Sequence, residues 1–184
     1  MPVVIIVIVV VLVVGVFVLA YNGLVRDRNR IDGAWSQIGV QLERRHDLIP
    51  NLVETVKGYM GHERGTLEAV TRARQQAVSV GGDLAERMKA ENLLSQTLRS
   101  LFAVAESYPD LKANQNFLAL QEEVTSTENK LGFARQYYND AAMRLKNQIE
   151  MFPSNVLAGA FGFQPEPFFE VDTAAERQAP QVKF

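Results

Sequence analysis

From Val3 to Tyr21 the chain reads VVIIVIVVVLVVGVFVLAY, with no charged residue. At 1.5 Å per residue this is about 28 Å of helix, close to the roughly 30 Å hydrocarbon core of a bilayer. β-Branched residues favour helix weakly in water, but in lipid the backbone must satisfy its own hydrogen bonds, so a helix is expected. Tyr21 and Asn22 mark an interface, where an amphipathic ring is comfortable. A cleaved leader would need a charged start, a shorter apolar region and a small-residue cleavage site, and only Met1 and Pro2 precede this run. The segment is therefore expected to span. Arg26, Arg28 and Arg30 follow it closely, with Arg44 and Arg45 further on, interleaved with Asp27 and Asp32 as a solvated first stretch. Counted by the positive-inside rule, they predict an outward N-terminus and a cytoplasmic body.

Beyond the span the apolar period becomes that of amphipathic helices. Trp35, Ile38, Leu42, Ile49, Leu52, Val56 and Tyr59 recur at steps of three, four or seven, opposite Glu43, Arg44 and Lys57, which predicts one core-facing helix. Gly23 and Gly33 do not forbid continuity with the membrane helix. Pro50 removes a backbone donor, which predicts a kink or local restart near Leu48 to Pro50. A second helix is expected over His62 to Val80, with Leu67, Val70, Ala73 and Ala77 on its apolar side, ended by Gly81 and Gly82. Asp83 suits the N-cap of a third, carrying Leu84, Met88, Leu94, Leu98, Leu101, Phe102 and Ala105. Tyr108, Pro109 and Asp110 punctuate its end, with Asp110 suited to cap the next helix.

The longest regular pattern holds Phe117, Leu120, Val124, Thr127, Leu131, Ala134, Tyr138, Ala141, Leu145, Gln148 and Phe152 at alternating steps of three and four. It predicts a helix from about Leu111 to Met151, roughly 60 Å long by the helical rise. Phe117, Leu120, Val124, Leu131, Tyr138 and Leu145 form its candidate heptad seam, in which Thr127 and Gln148 either fix register or lie at exposed edges. Tyr137 and Tyr138 are read as rim and core. After Pro153 comes SNVLAGAFGFQPEPFF, apolar yet too short to span. Phe161, Phe163, Phe168 and Phe169 are its candidate contacts, on the bundle itself, on a neighbouring subunit or in the membrane interface. The expected fold is all-α: an anchor at 1–22, an elongated antiparallel helical bundle over 23–170 closing on a long heptad helix, and a flexible tail at 171–184.

Composition narrows the chemistry. Nineteen basic against 21 acidic side chains give a net charge of −2, without the basic field that nucleic acid requires. There is no cysteine, which removes disulfides, thiolate catalysis and cysteine-ligated zinc. His46 and His62 belong to no metal-ligand pattern. His46, in RRHD, would suit a charge switch, although Asp47 also reads as a cap. Glu122, Glu123 and Glu128 share a face with Lys130 and lack the Glu-x-x-His partners of a di-iron bundle, so an ion-paired solvated face is expected. No phosphate-binding glycine loop or nucleophile elbow occurs. No catalytic residue, metal or cofactor is expected.

The strings YNGLVRDRNRI, AWSQIGVQLERRHDLIPNLVETVKGY, YPDLKANQNFLALQEEVTSTENKLGFARQYYNDA and FPSNVLAGAFGF, following a transmembrane start, closely resemble bacterial LemA proteins over nearly the whole chain. The resemblance implies a membrane helix with a helical body and carries no catalytic residues over. Two functions are consistent with it. One is a scaffold that organises or remodels membrane, self-associating through its long helix and phenylalanine-rich segment, with the bilayer and further copies of itself as partners. The other is an adaptor or regulator of a membrane protease or envelope stress system, with a membrane protein as partner.

Overall fold

The computed structural model describes residues 1–81 and 84–169, and these are all-α. Six helices occur among the described residues: α1 (Pro2–Lys57), α2 (Arg64–Ser79), α3 (Leu84–Ala105), α4 (Pro109–Lys112), α5 (Gln115–Glu150) and α6 (Ser154–Phe161). Asp83 and the 171–184 tail lie outside the described residues. The chain forms two compact units, one from Met1–Gln41 with Lys130–Phe168 and the other centred on Leu42–Asn129. Helices α1 and α5 contribute to both.

In the first unit, the opening stretch of α1 is long and apolar enough to cross a membrane, and none of it is buried. This fits a single-pass membrane protein. Past Tyr21, the buried Leu24, Ile31, Ala34 and Ile38 lie on one face of α1, and Leu131, Tyr138, Ala141, Ala142 and Leu145 on one face of α5. The two helices are antiparallel: Trp35 meets Tyr138 with ring centroids 6.2 Å apart, while Gly23 faces Gln148. A Cβ at Gly23 would stand 3.2 Å from Gln148 Oε1, so the absence of a side chain permits this close approach. Asp27, expected in solvent, is buried and accepts a hydrogen bond from Arg30 at 2.8 Å. It occupies the step between Leu24 and Ile31 on the same apolar stripe.

A turn with a cis Phe152–Pro153 peptide bond leads into α6. That helix stops at Gly162, whose φ of 71° is open to glycine, and Phe163 N–H then bonds the Ala158 carbonyl at 3.0 Å. Tyr21 carries this segment, with ring centroids 4.9 Å from Phe161 and 6.1 Å from Phe163.

The second unit has the larger apolar core, in which Ile49, Leu52, Val56 and Met60 lie among Leu67, Val70, Leu94, Leu98, Leu101, Leu111, Phe117 and Val124. Helix α2 buries Leu67, Val70, Ala73 and Ala77, as the spacing predicts. Three local expectations are corrected. Helix α1 does not restart at Pro50; it stays helical through the proline, with Ile49 and Leu52 fully packed on either side. Tyr59 is exposed, because α1 ends at Lys57 and Met60 takes the core position instead. Helix α5 begins at Gln115, not Leu111: Asn114 Oδ1 accepts the Phe117 N–H at 3.0 Å, and the short α4, with Tyr108 at its N-cap and Asp110 in its first turn, holds Leu111 in the core.

Candidate functional site

Among the described residues of the second unit, the buried charges concentrate around Arg45. Its place follows from the α1 period: the apolar stripe steps seven residues from Leu42 to Ile49, and Arg45 fills the gap, facing inward. The side chain is 0% exposed. Its Nη1 donates to Ser95 Oγ at 2.7 Å and to Glu128, and its Nη2 donates to Glu91. Glu91 is itself 2% exposed, at the position on α3 between Met88 and Leu94 that the helical period turns to the core. Ser95 Oγ donates in turn to Glu128 at 3.0 Å.

His46 Nε2 stands 3.2 Å from one oxygen of Glu91 and 3.3 Å from the other. Arg74 Nε, from α2, donates to the His46 carbonyl at 2.7 Å. Burial pushes the Glu91 carboxyl up, but the His46 hydrogen bond and the Arg45 guanidinium outweigh it, and the carboxyl is held below its usual range. One arginine thus ties α1 to α3 and α5 through charge-assisted bonds whose directions admit a single register. Outside it, Arg44 and Glu123 form a solvent-facing pair.

Two expectations change here. Arg45 is no solvated topology signal, and Glu128 is not part of a merely solvated acidic face; both belong to the interior cluster. The arrangement holds no nucleophile in an open cleft. Among the described residues no three histidine, aspartate or glutamate side chains are placed to hold a metal. What the cluster can do is specify helix register and respond to protonation of Glu91.

The other candidate residues are placed as follows. Phe117, Val124, Leu131, Tyr138 and Leu145 are buried and Leu120 is partly so, Phe117, Leu120 and Val124 in the second unit and the rest in the first. Thr127 is buried in the same row, its hydroxyl bonded to the Glu123 carbonyl at 2.8 Å, while Gln148 is half-buried. Tyr137 is exposed and Tyr138 buried, and burial, with Glu166 and Asp32 adding to it, pushes the Tyr138 hydroxyl up to about 12. Phe163, Phe168 and Phe169 are half-buried, and Phe161 is exposed beside Tyr21.

Sequence comparison agrees with this architecture. The LemA protein of Metamycoplasma hominis is 27% identical over 149 residues, covering 79% of this chain and 68% of its own length. Magnetosome protein MamQ 2 of Paramagnetospirillum magneticum is 23% identical over 188 residues, covering 89% of this chain and 69% of the relative. Magnetosome protein MamQ of Magnetospirillum gryphiswaldense is 20% identical, covering 89% and 70%. The profile of the LemA family matches residues 34–184, and the chain belongs to the LemA family.

Proposed function

We propose that this protein is a membrane-anchored, self-associating helical scaffold that organises or remodels the bilayer holding it, and not an enzyme. The observation that carries the reading is a second apolar stripe on the first unit. Phe133 and Tyr137, one turn apart on α5, are 73% and 50% exposed, and exposed Val40 on α1 stands with them around a groove of about 510 Å³. The buried side of α5 at Leu131 and Tyr138 already fills the unit's core, so this stripe is surplus to folding. Contiguous exposed apolar surface marks interaction sites. A second copy suits it, since Gln37, Gln41 and Lys130 give the groove a polar rim without a dominant charge. Copies confined to one membrane in one orientation also meet at raised effective concentration, so modest contacts suffice.

Phe161, Phe163, Phe168 and Phe169 form the second candidate contact, with a neighbouring copy or the membrane. Relatives named for the magnetosome are named for a cellular structure and not for a reaction, which supports a structural role. The exposed Arg26, Arg28 and Arg30 just past the span favour a body on the cytoplasmic side of a bacterial membrane. A photo-crosslinking residue at Phe133, activated in native membranes, tests the reading. Dimers and higher multimers of the chain are expected. One dominant foreign membrane protein would overturn self-association in favour of an adaptor to that protein.

A further inference from the structure

The antiparallel pairing in the first unit returns α5 to the membrane end of α1. Gly23 faces Gln148, so Met151, three residues on, lies about 4.5 Å further along by helical rise, level with the last residues of the span. The turn there is not shielded by protein: Phe152 is 79% exposed, and Met151, Val156 and Phe161 are exposed too. Asn155, Val156, Gly159 and Ala160 form the open face of α6, while Ala158 is buried on the other. From Met151 to Gln164 there is no charged residue. This surface is continuous with the membrane anchor, because the ring of Tyr21, at the end of the span, packs at a tilt against Phe161 with centroids 4.9 Å apart.

We propose that the α5–α6 turn and the open face of α6 are a lipid-contacting edge: Met151, Phe152, Val156 and Phe161 enter the acyl–headgroup boundary of the leaflet beside α1. Exposure in water of four large apolar side chains on one uncharged edge is unfavourable, and the anchor holds that edge where lipid begins. Charge distribution points to the same occupant. Arg26, Arg30 and Arg144 line a cleft of about 280 Å³ with Gly23, Asp27 and Gln148, net positive even with Arg30 paired to Asp27, and Arg26, about one and a half turns beyond Tyr21, stands nearest the lipid phosphates. Aromatic and aliphatic groups at the boundary with arginines just above them match the layering of a bilayer surface. The unit is then seated on the membrane at two places, the span and this edge, which fixes its tilt and rotation; a lone span would leave both free.

The proposal rests on the reading of α1 as a span, so the test includes a position within it. The chain has no cysteine, so spin labels can be placed singly by Val11→Cys, Gln76→Cys, Phe152→Cys and Val156→Cys in the full chain in bilayer nanodiscs of mixed neutral and anionic lipid, Gln76 being exposed on α2 and outside the proposed contact at Phe133. Collision rates with dissolved oxygen, which favours lipid, are compared with those of a water-soluble nickel chelate. The ratio should favour oxygen at Val11, Phe152 and Val156 and nickel at Gln76. If Val11 favours oxygen while Phe152 and Val156 match Gln76, the lipid edge is overturned and the span stands. Shielding of Phe152 and Val156 from both reagents would assign the surface to another copy of the chain and overturn the proposal. Nickel access at Val11 would overturn the span, and the edge with it. Two labelled positions on the edge guard against one substitution disturbing the turn.

Discussion

Arg45→Met isolates what the buried cluster contributes. The substitution keeps a long side chain in the site, so its packing is largely preserved while the charge goes. Glu91, 2% exposed, is then left facing the His46 imidazole at 3.2 Å without the guanidinium, whereas Glu128 is open enough to turn toward water. Removing one partner of a buried ion pair costs about 3–5 kcal/mol, chiefly because the other charge stays buried. For a body of this size, 2–4 °C of melting temperature per kcal/mol translates this into a fall of roughly 6–20 °C. The double change Arg45→Met with Glu91→Met removes both buried charges and should recover most of the loss, since an apolar replacement of a buried pair is often neutral or better. Helicity followed at 222 nm on heating in one detergent measures all three proteins. A single variant within about 0.5 kcal/mol of the parent, the range of inconsequential surface changes, would refute the argument. A double variant no better than the single would refute it as well.

The cluster also sets an acid limit. With its folded value held below the usual 4.5, Glu91 contributes stability that is fully present above that pH and is lost as pH falls through the lower folded value; melting from pH 7 to 3 should show the parent losing more stability below pH 4.5 than the Arg45→Met, Glu91→Met variant does. Tyr138 works at the other end: its raised value means stability present below the ordinary tyrosine pKa near 10 and lost as pH rises toward about 12, so phenolate absorbance should show a last step near 12 that Tyr138→Phe abolishes. Asn114→Ala removes the cap of α5 and the bond from its Nδ2 to Tyr59 Oη at 2.8 Å, and should cost about 1 kcal/mol by denaturant titration. Gly33→Ala, inside α1 with nothing within 4 Å of an added Cβ, should gain up to about 1 kcal/mol in the same assay.

Much of the architecture was legible in the apolar period alone. The α2 face at Leu67, Val70, Ala73 and Ala77 and the α5 row at Phe117, Val124, Leu131, Tyr138 and Leu145 fall where the spacing puts them, because burial of an apolar stripe dominates helix packing, and the opening apolar stretch is helical over the length expected. Helix ends were less legible. Asn114 caps α5 because α4 first turns Leu111 into the core, a tertiary constraint that a local motif at Tyr108 to Asp110 does not contain. The buried charges were hidden for a different reason. Arg45, Glu91 and Asp27 each sit at an interior step of an otherwise apolar stripe, and charged residues at single positions read as solvated by default. The seven-residue gap between Leu42 and Ile49 was the available signal: a stripe that skips one core position has something buried there. Which acids would meet Arg45 depends on the packing of α3 and α5 against α1, which no period specifies. The surplus stripe at Val40, Phe133 and Tyr137 was equally illegible, since exposure of Phe133 is decided only when the opposite face of α5 is seen to be full.

The most direct test of the scaffold reading is the mass of the full chain, solubilised in a mild detergent and measured by light scattering with the detergent contribution subtracted. Self-association predicts a mass several times the 20.6 kDa of one chain, reduced by Phe133→Ser with Tyr137→Ser while helicity is unchanged. A single-chain mass at every concentration, for the parent as for the variant, would contradict it.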